Sequence, residues 1–355
     1  MKFTRYHSLN DIMEYPNMRE YLEVFFSEKN LELFPEKMRR LPLALAEKVA
    51  RSPWGGSFAE VVNQLLDAVQ TVLDITDGHT RRCVSLWDCN LDWTPERNKR
   101  GGKDSVFLLT PEYEKIMGAD TRTERKRPAV IICPGGGYEV VCFSGEGNPM
   151  MNYMEAKGYV SFVLKYRTAP NRYHGPQEDL ALALQYVREH AEEYGVDPQN
   201  VMLMGFSAGG HLCASLGCLY REIAEALQEE TGSNLEPETV RPDKLCLGYP
   251  VITFGEECHE GSFQMLTGGE ESLRSALSVE LRVSKDCPKT FLWACGDDDC
   301  VPPSNAARMA SALKEAGVSH KLCIYPEGGH GCNLAFGNSA RCWTDEMIKF
   351  MREDR

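Results

Sequence analysis

The sequence predicts an α/β fold with a mostly parallel central sheet flanked by helices, and with an added helical segment at the N-terminus. Short apolar runs typical of buried strands recur along residues 81–355, with helical stretches between them. The apolar spacing of residues 178–188 predicts a helix that leads into the strand-like run 200–204 and forms a β-α-β unit.

Residues 1–80 carry helical patterns. Apolar side chains form a stripe over residues 18–26, and Ser57 with Glu60 predicts a capping box that opens a helix with one apolar face. We therefore divide the chain into a helical extension, residues 1–80, and an α/β domain, residues 81–355. We interpret the extension as a layer packed on the domain. Two alternatives stay open: a cap over the functional site, or a surface through which the chain forms homo-oligomers.

The first strands of the α/β domain are predicted to be antiparallel, over residues 82–87 and 105–109. The next apolar strand, residues 129–133, ends in a Pro-Gly-Gly-Gly-Tyr loop at 134–138. Glycine lets backbone N–H groups approach a ligand without an intervening Cβ. The loop is therefore predicted to donate N–H groups to a developing negative charge, with a plain flexible turn as the alternative.

The segment Gly-Phe-Ser-Ala-Gly-Gly-His at 205–211 matches the G-x-S-x-G pattern of a nucleophile elbow. A β-type run precedes it and a helical run, residues 211–216, follows it. A sharp strand-to-helix turn lifts the hydroxyl of Ser207 clear of the sheet and directs the N–H of Ala208 toward a reacting oxygen. The alternative is a glycine-rich turn in which the serine caps a helix.

Two later strands end in residues that complete a catalytic triad. The run 290–295 leads into Asp297, Asp298 and Asp299, and the run 321–325 leads into a glycine-rich loop that carries His330. A triad acid lies at the end of a late strand, where it binds and orients the histidine. The chain order serine, aspartate, histidine is that of the α/β-hydrolase triad, so an α/β-hydrolase fold is predicted.

These motifs resemble the α/β-hydrolase acetyl esterases known as acetylxylan or carbohydrate esterases, which are related to the hormone-sensitive-lipase-like group. The resemblance covers roughly residues 83–353, and Pro134 stands where the loop motif usually begins with histidine. The residues that carry it are 134–138, 146–147, 166–167, Asp179, 205–211, 249–251, Asp298 with 301–302, and 329–331.

The resemblance implies a role for each matching residue. Ser207 is the nucleophile, His330 the general base and Asp298 the acid, although spacing alone does not exclude Asp297 or Asp299. The expected oxyanion donors are the N–H groups of Gly136, Gly137 and Ala208, with Tyr138 as the alternative to Gly136. Tyr138 and Phe206 are the candidates for the substrate pocket.

The predicted function is that of a serine esterase that hydrolyses short-chain, mainly acetyl, esters of small carbohydrates through an acyl-enzyme. The mechanism requires no metal and no organic cofactor. The alternatives are an esterase for longer or aromatic acyl groups, a peptidase or amidase on the same fold, and a binding protein without turnover. Residues 255–288 form an insertion that is expected either to shape the acyl or alcohol pocket or to be a surface helix and loop.

Composition limits the partners and the compartment. The formal net charge of −13 argues against nucleic acid or anionic membranes as partners, which leaves a small-molecule ester as the expected one. No apolar run has the length of a membrane span, and no signal peptide is visible at the start. The 14 cysteines lack C-x-x-C spacing and fall partly in predicted strands, so free thiols and a cytoplasmic location are expected.

Overall fold

A computed structural model describes residues 2–51, 57–78, 80–88, 91–112 and 126–353. Within these ranges, eight strands form one sheet in the order β1-β2-β4-β3-β5-β6-β7-β8. The predicted α/β fold with a mostly parallel sheet is therefore confirmed. The strands are β1 Cys83–Ser85, β2 Phe107–Leu109, β3 Arg127–Cys133, β4 Val160–Lys165, β5 Val196–Phe206, β6 Lys244–Gly248, β7 Lys289–Cys295 and β8 His320–Tyr325.

The direction of the strands follows the predicted scheme. β1 pairs with β2, and β2 with β4, in antiparallel register, whereas the pairs β4-β3, β3-β5, β5-β6, β6-β7 and β7-β8 are parallel. The carboxyl ends of β3, β5, β6, β7 and β8 consequently lie along one edge of the sheet. In open α/β sheets, ligands bind at this edge.

Helices cover both faces of the sheet. None of the described helices is long and apolar enough to span a membrane. The α-helices are Leu9–Met13, Met18–Leu22, Glu28–Glu32, Glu36–Arg39, Leu43–Val49, Phe58–Thr76, Pro95–Arg100, Asn148–Ala156, Gly175–Glu189, Ala191–Tyr194, Ala208–Thr231, Glu260–Thr267, Leu273–Leu277, Ser304–Glu315 and Trp343–Arg352. Short π-helical turns occupy Glu23–Ser27 and Phe143–Gly147, and 3₁₀ turns occupy Gly102–Ser105, Pro237–Val240 and Val279–Arg282.

Successive side chains of each strand point to opposite faces of the sheet, which divides the core into two layers. In β3, Ala129 and Ile131 face the helices Gly175–Glu189 and Ala208–Thr231, while Val130 and Ile132 face the opposite side. The central strands are buried on both faces, which is why they appear in the sequence as continuous apolar runs rather than as alternating ones.

The N-terminal helices pack on the second face of the sheet. Their buried residues belong to the same cluster as Val130, Ile132 and the helices Asn148–Ala156 and Trp343–Arg352. Ser57 caps the longest of them, but its hydroxyl accepts from the N–H of Ala59, so the reciprocal capping box expected with Glu60 is not formed. The helices end at Thr76 and the first strand begins at Cys83, on either side of the predicted boundary at residue 80.

Phe25 joins the N-terminal layer to the sheet. The ring is fully buried and lies 5.7 Å from the ring of Phe107 in β2 and 5.1 Å from that of Phe143. Replacing it by alanine should lower the free energy of unfolding of the whole protein by about 3–5 kcal/mol, because a large core cavity results. Urea unfolding of Phe25→Ala measures this, with Leu45→Ala, on a helix of the same layer but 47% exposed, as the control. Equal stabilities for the two variants would mean that this layer unfolds separately from the sheet.

Candidate active site

Ser207 lies on the sharp turn between β5 and the helix Ala208–Thr231. Its backbone has φ 52° and ψ −122°, in the region that side-chain-bearing residues rarely adopt. The glycines on each side permit the turn: a Cβ on Gly205 would overlap the carbonyl of Gly209, and a Cβ on Gly209 would overlap that of Cys133. The sequence motif therefore reflects close backbone contacts, and the turn presents the serine at the carboxyl edge of the sheet.

Ser207, His330 and Asp298 form one row of hydrogen bonds. The Oγ of Ser207 lies 2.9 Å from Nε2 of His330, and Nδ1 of His330 lies 2.7 Å from Oδ2 of Asp298. Ser207 is buried, whereas the imidazole of His330 is 20% exposed, so the histidine is the member of this hydrogen-bonded group that reaches solvent. In this arrangement Nδ1–H donates to the carboxylate and Nε2 is left to accept the serine proton.

The three consecutive aspartates have different environments. Asp298 is buried, and its second oxygen accepts the N–H groups of Cys300 and Val301 at 3.0 and 2.9 Å. Asp297 instead accepts the N–H groups of Gly328 and Gly329, which lower the pKa of its exposed carboxyl. Asp299 is exposed. Asp298 is thus the aspartate that contacts His330, while Asp297 holds the backbone of the loop that carries it.

The glycine loop 134–138 lies against Ser207. A Cβ on Gly135 would stand 2.8 Å from the Cβ of Ser207. In the described part of the chain, the N–H groups of Gly136 and Gly137 donate to no protein acceptor. Ala208 is the first residue of its helix, where N–H groups have no intrahelical partner. Within the described residues, the N–H groups of all three predicted oxyanion donors are thus not used in hydrogen bonds to the protein.

The side chains of Tyr138 and Phe206, the two residues predicted for the substrate pocket, are both buried. Tyr138 is 1% exposed, and its hydroxyl lies 2.9 Å from Nδ1 of the buried His211. Burial lowers the pKa of His211 to about 4, so the imidazole is neutral, and its Nε2–H donates to the carbonyl of Leu277. Phe206 is fully buried against Tyr249 and Trp343. Both side chains therefore pack in the interior next to the elbow and the glycine loop.

The insertion 255–288 reaches the glycine loop. It contains the helices Glu260–Thr267 and Leu273–Leu277, and His259 caps the first of these by accepting the N–H of Ser262 at Nδ1. The ring of His259 lies 3.9 Å from the point where a Cβ on Gly137 would stand. Burial and the neighbouring His330 lower the pKa of His259. Because Nδ1 accepts the N–H of Ser262, the proton of the neutral ring lies on Nε2.

Sequence reasoning assigned no role to Glu146, Tyr249 or Asn333, which form a buried network behind the site. Tyr249 and Asn333 have positive φ angles of 35° and 44°, and the ring of Tyr249 lies 5.0 Å from that of His330. Glu146 lies in the π-helical turn Phe143–Gly147, and Tyr249 and Asn333 lie in loops. The family resemblance includes residues 146–147 and 249–251 without a role, whereas no sequence pattern indicated Asn333. In the described residues, no group of three or more His, Cys, Asp or Glu side chains is placed to hold a metal ion.

Comparison with known proteins relates this site to a family of esterases. A sequence profile of the BD-FAE family matches residues 117–313, more than half of the chain. This range includes Ser207 and Asp298, whereas His330 lies beyond it. The crystal structure of an acetyl ester-xyloside bifunctional hydrolase from Caldicellulosiruptor lactoaceticus is 33% identical, with a TM-score of 0.59, and the match covers 69% of this chain and 86% of that one.

Two curated relatives show similar levels of identity. Endo-1,4-beta-xylanase B of Butyrivibrio fibrisolvens is 32% identical over 62% of this chain and 34% of its own length. Acetylxylan esterase of Xylanibacter ruminicola is 30% identical over 62% of this chain and 44% of its own length. The chain thus spans less than half of the length of either relative.

The environments of the three aspartates predict distinct effects on the nucleophile. Asp298→Asn should slow covalent labelling of Ser207 by a fluorophosphonate by about 10³–10⁴-fold, because the imidazole loses its orienting carboxylate. Asp299→Asn is the matched control, which should label at the wild-type rate because its side chain is exposed. Asp297→Asn should fall between the two, since it loosens only the histidine loop. The second-order labelling rate measures all three, and equal rates for Asp298→Asn and Asp299→Asn would contradict the assignment.

Proposed function

Because this chain belongs to the BD-FAE family of α/β-hydrolases, we propose that it is a serine esterase that hydrolyses short-chain, above all acetyl, esters of small carbohydrates. The observation that carries the proposal is the hydrogen-bonded row of Ser207, His330 and Asp298 on a nucleophile elbow. A serine alcohol becomes nucleophilic when an oriented imidazole takes its proton, and this geometry provides such an imidazole.

Acylation requires the hydrogen-bonded Ser207, His330 and Asp298 together with the glycine loop. The Oγ of Ser207 bonds to the ester carbonyl carbon while its proton passes to Nε2 of His330. The carbonyl oxygen becomes an oxyanion and accepts the N–H groups of Ala208 and of Gly136 or Gly137. Asp298 stabilises the imidazolium without taking its proton. When the tetrahedral intermediate collapses, the bond to the alcohol breaks and His330 gives that oxygen its proton.

Deacylation repeats these steps with water. His330 takes a proton from the water molecule, whose oxygen bonds to the acyl carbon of the Ser207 ester. The same N–H groups stabilise the second oxyanion. Collapse breaks the bond to Oγ, and His330 returns the proton to Ser207, so the carboxylic acid leaves and the enzyme is unchanged.

The choice of acetyl esters and of carbohydrates rests on the relatives. One is named an acetylxylan esterase and another an acetyl ester-xyloside hydrolase. The Nε2–H of His259 at the edge of the site is a donor for a hydroxyl group on the alcohol part of such an ester. The free cysteines of the described residues fit a reducing compartment, so we propose that the enzyme acts in the cytoplasm on small esters rather than on polymers.

A series of p-nitrophenyl esters from acetate to dodecanoate tests the proposed function. We expect kcat/KM to be highest for acetate and to fall steeply with chain length. Ser207→Ala should reduce kcat by at least about 10⁴-fold, because the acyl-enzyme cannot form. Acetylated xylo-oligosaccharides, with release of acetate as the readout, then test the carbohydrate part.

The outcomes of this series separate the alternatives. An optimum at octanoate or longer, abolished in Ser207→Ala, would keep the triad but replace the acetyl esterase with an esterase for longer chains. Hydrolysis that persists in Ser207→Ala would refute the role of Ser207. Labelling by a fluorophosphonate without hydrolysis of any ester in the series would favour an amide substrate.

A further inference from the structure

Glu146 is a buried carboxylate directly behind the nucleophile. It is 6% exposed, and its Oε2 accepts the N–H of Gly135 at 2.6 Å. The same oxygen and the Cβ of Ser207 lie 2.9 and 2.8 Å from one point, the position that a Cβ on Gly135 would occupy. The carboxylate therefore lies beside both Ser207 and the glycine loop, but it contacts neither the serine hydroxyl nor His330 by a hydrogen bond.

The other oxygen of Glu146 connects to the histidine side of the site. The hydroxyl of Tyr249 donates to Oε1 at 2.8 Å and accepts the N–H of Asn333 at 3.1 Å. Asn333 lies three residues after His330, and its side-chain amide donates to the carbonyl of Gly145 at 2.6 Å. Glu146 thus joins the glycine loop to the segment that follows the catalytic histidine.

The direction of these hydrogen bonds matches an ionised carboxylate. Both partners of Glu146 act as donors: the N–H of Gly135 can only donate, and the hydroxyl of Tyr249 donates to Glu146 while its oxygen accepts the N–H of Asn333. Burial raises the pKa of Glu146, while the bonds from Gly135 and Tyr249 and the nearby His330 oppose that rise. A buried charge of this kind is costly unless it is paired, which points to a role in the reaction.

The segment that carries Glu146 is held from outside by the N-terminal layer. The ring of Phe25 packs edge-on against Phe143, and the side-chain amide of Asn30 lies 3.4 Å from the hydroxyl of Ser144. Glu146 therefore lies on a short turn that is fixed on both sides, as a group must be if it is to position another element.

We propose that Glu146 is a positioning residue of the acyl-transfer reaction, whose ionised carboxylate fixes the glycine loop and stabilises the positive charge that His330 gains in the transition state. This inference rests on the proposed serine-hydrolase function. Two carboxylates then act on one imidazole: Asp298 by a direct hydrogen bond, and Glu146 through the field of its charge across the ring of Tyr249.

The titratable groups around Glu146 and His330 determine which protonation events a pH experiment on the site can detect. Those near His330 are Asp298, Asp297, His259, Tyr249 and Glu146, and those near Glu146 are Tyr249, Tyr166, Cys142 and His330. Burial raises the pKa of Tyr249, Tyr166 and Cys142, so these three stay neutral in the acidic range. The histidines and carboxylates therefore remain to titrate on acidification, and Glu146→Gln removes one of them while it leaves His330, His259, Asp297 and Asp298 in place.

The test is the pH dependence of fluorophosphonate labelling of Ser207 in the full-length protein, with Glu146→Gln as the variant. Glutamine keeps the shape and removes the charge. The maximal labelling rate should fall by about tenfold, which corresponds to about 1.4 kcal/mol less stabilisation of the imidazolium in the transition state. The acidic limb of the profile should move down by about one pH unit, because without the neighbouring negative charge His330 is protonated only at lower pH.

Glu139→Gln is the matched control, because it makes the same chemical change beside the same loop. The side chain of Glu139 is 61% exposed and, among the described residues, pairs with the exposed Lys29, so solvent screens its charge. Its profile should coincide with that of the wild type. Circular dichroism and urea unfolding verify that each variant is folded.

Each result decides for or against the inference. A lower rate with an unmoved acidic limb would reduce Glu146 to a purely structural group and overturn the proposed charge effect, as would a wild-type profile. If Glu146→Gln does not fold, Tyr249→Phe replaces it: loss of the hydroxyl favours the protonated carboxyl, so a smaller shift in the same direction is expected, and an unmoved limb overturns the inference. Labelling does not depend on the ester, so a wild type that labels but hydrolyses no ester defeats only the proposed substrate.

Discussion

The left-handed backbone at Ser207 is the constraint on which the rest of the site depends. The turn exists only because two glycines allow the helix Ala208–Thr231 to start in contact with the end of β3. That contact brings the glycine loop, which follows β3, against the serine. The parallel pairing of β5 through β8 then places the ends of β7 and β8 on the same edge, where Asp298 and His330 meet Ser207. A strained residue of this kind persists because the packed elements on each side leave it no alternative.

The three carboxylates around the nucleophile differ in function because they differ in burial and in hydrogen-bond partners. Asp298 is buried with two backbone donors and the imidazole, so it orients the ring. Asp297, one residue earlier, is exposed and holds the backbone of the histidine loop. Glu146 is buried on the far side of the serine and bonds to the glycine loop and to Tyr249. The two sides of the nucleophile are thus held by separate hydrogen-bonded networks that meet near His330.

The N-terminal layer belongs to the same physical unit as the site. Its buried side chains share a core with the sheet face that carries Val130 and Ile132. The family profile begins at residue 117, so this layer lies outside the region that the profile matches. Through Phe25 and Asn30 it contacts the turn that ends in Glu146, which gives the layer a direct mechanical connection to the glycine loop.

Local patterns in the sequence determined the strands, the elbow, the glycine loop and the order of Ser207 and His330, because glycine spacing and apolar runs encode short-range backbone geometry. Only the tertiary structure separated Asp298 from Asp297 and Asp299, since the three share one local sequence and differ in which way each side chain points. It also showed that the side chains of Tyr138 and Phe206 are buried. The partners of Glu146 come from residues 135 and 249, at unrelated distances along the chain, and only folding brings such long-range contacts together.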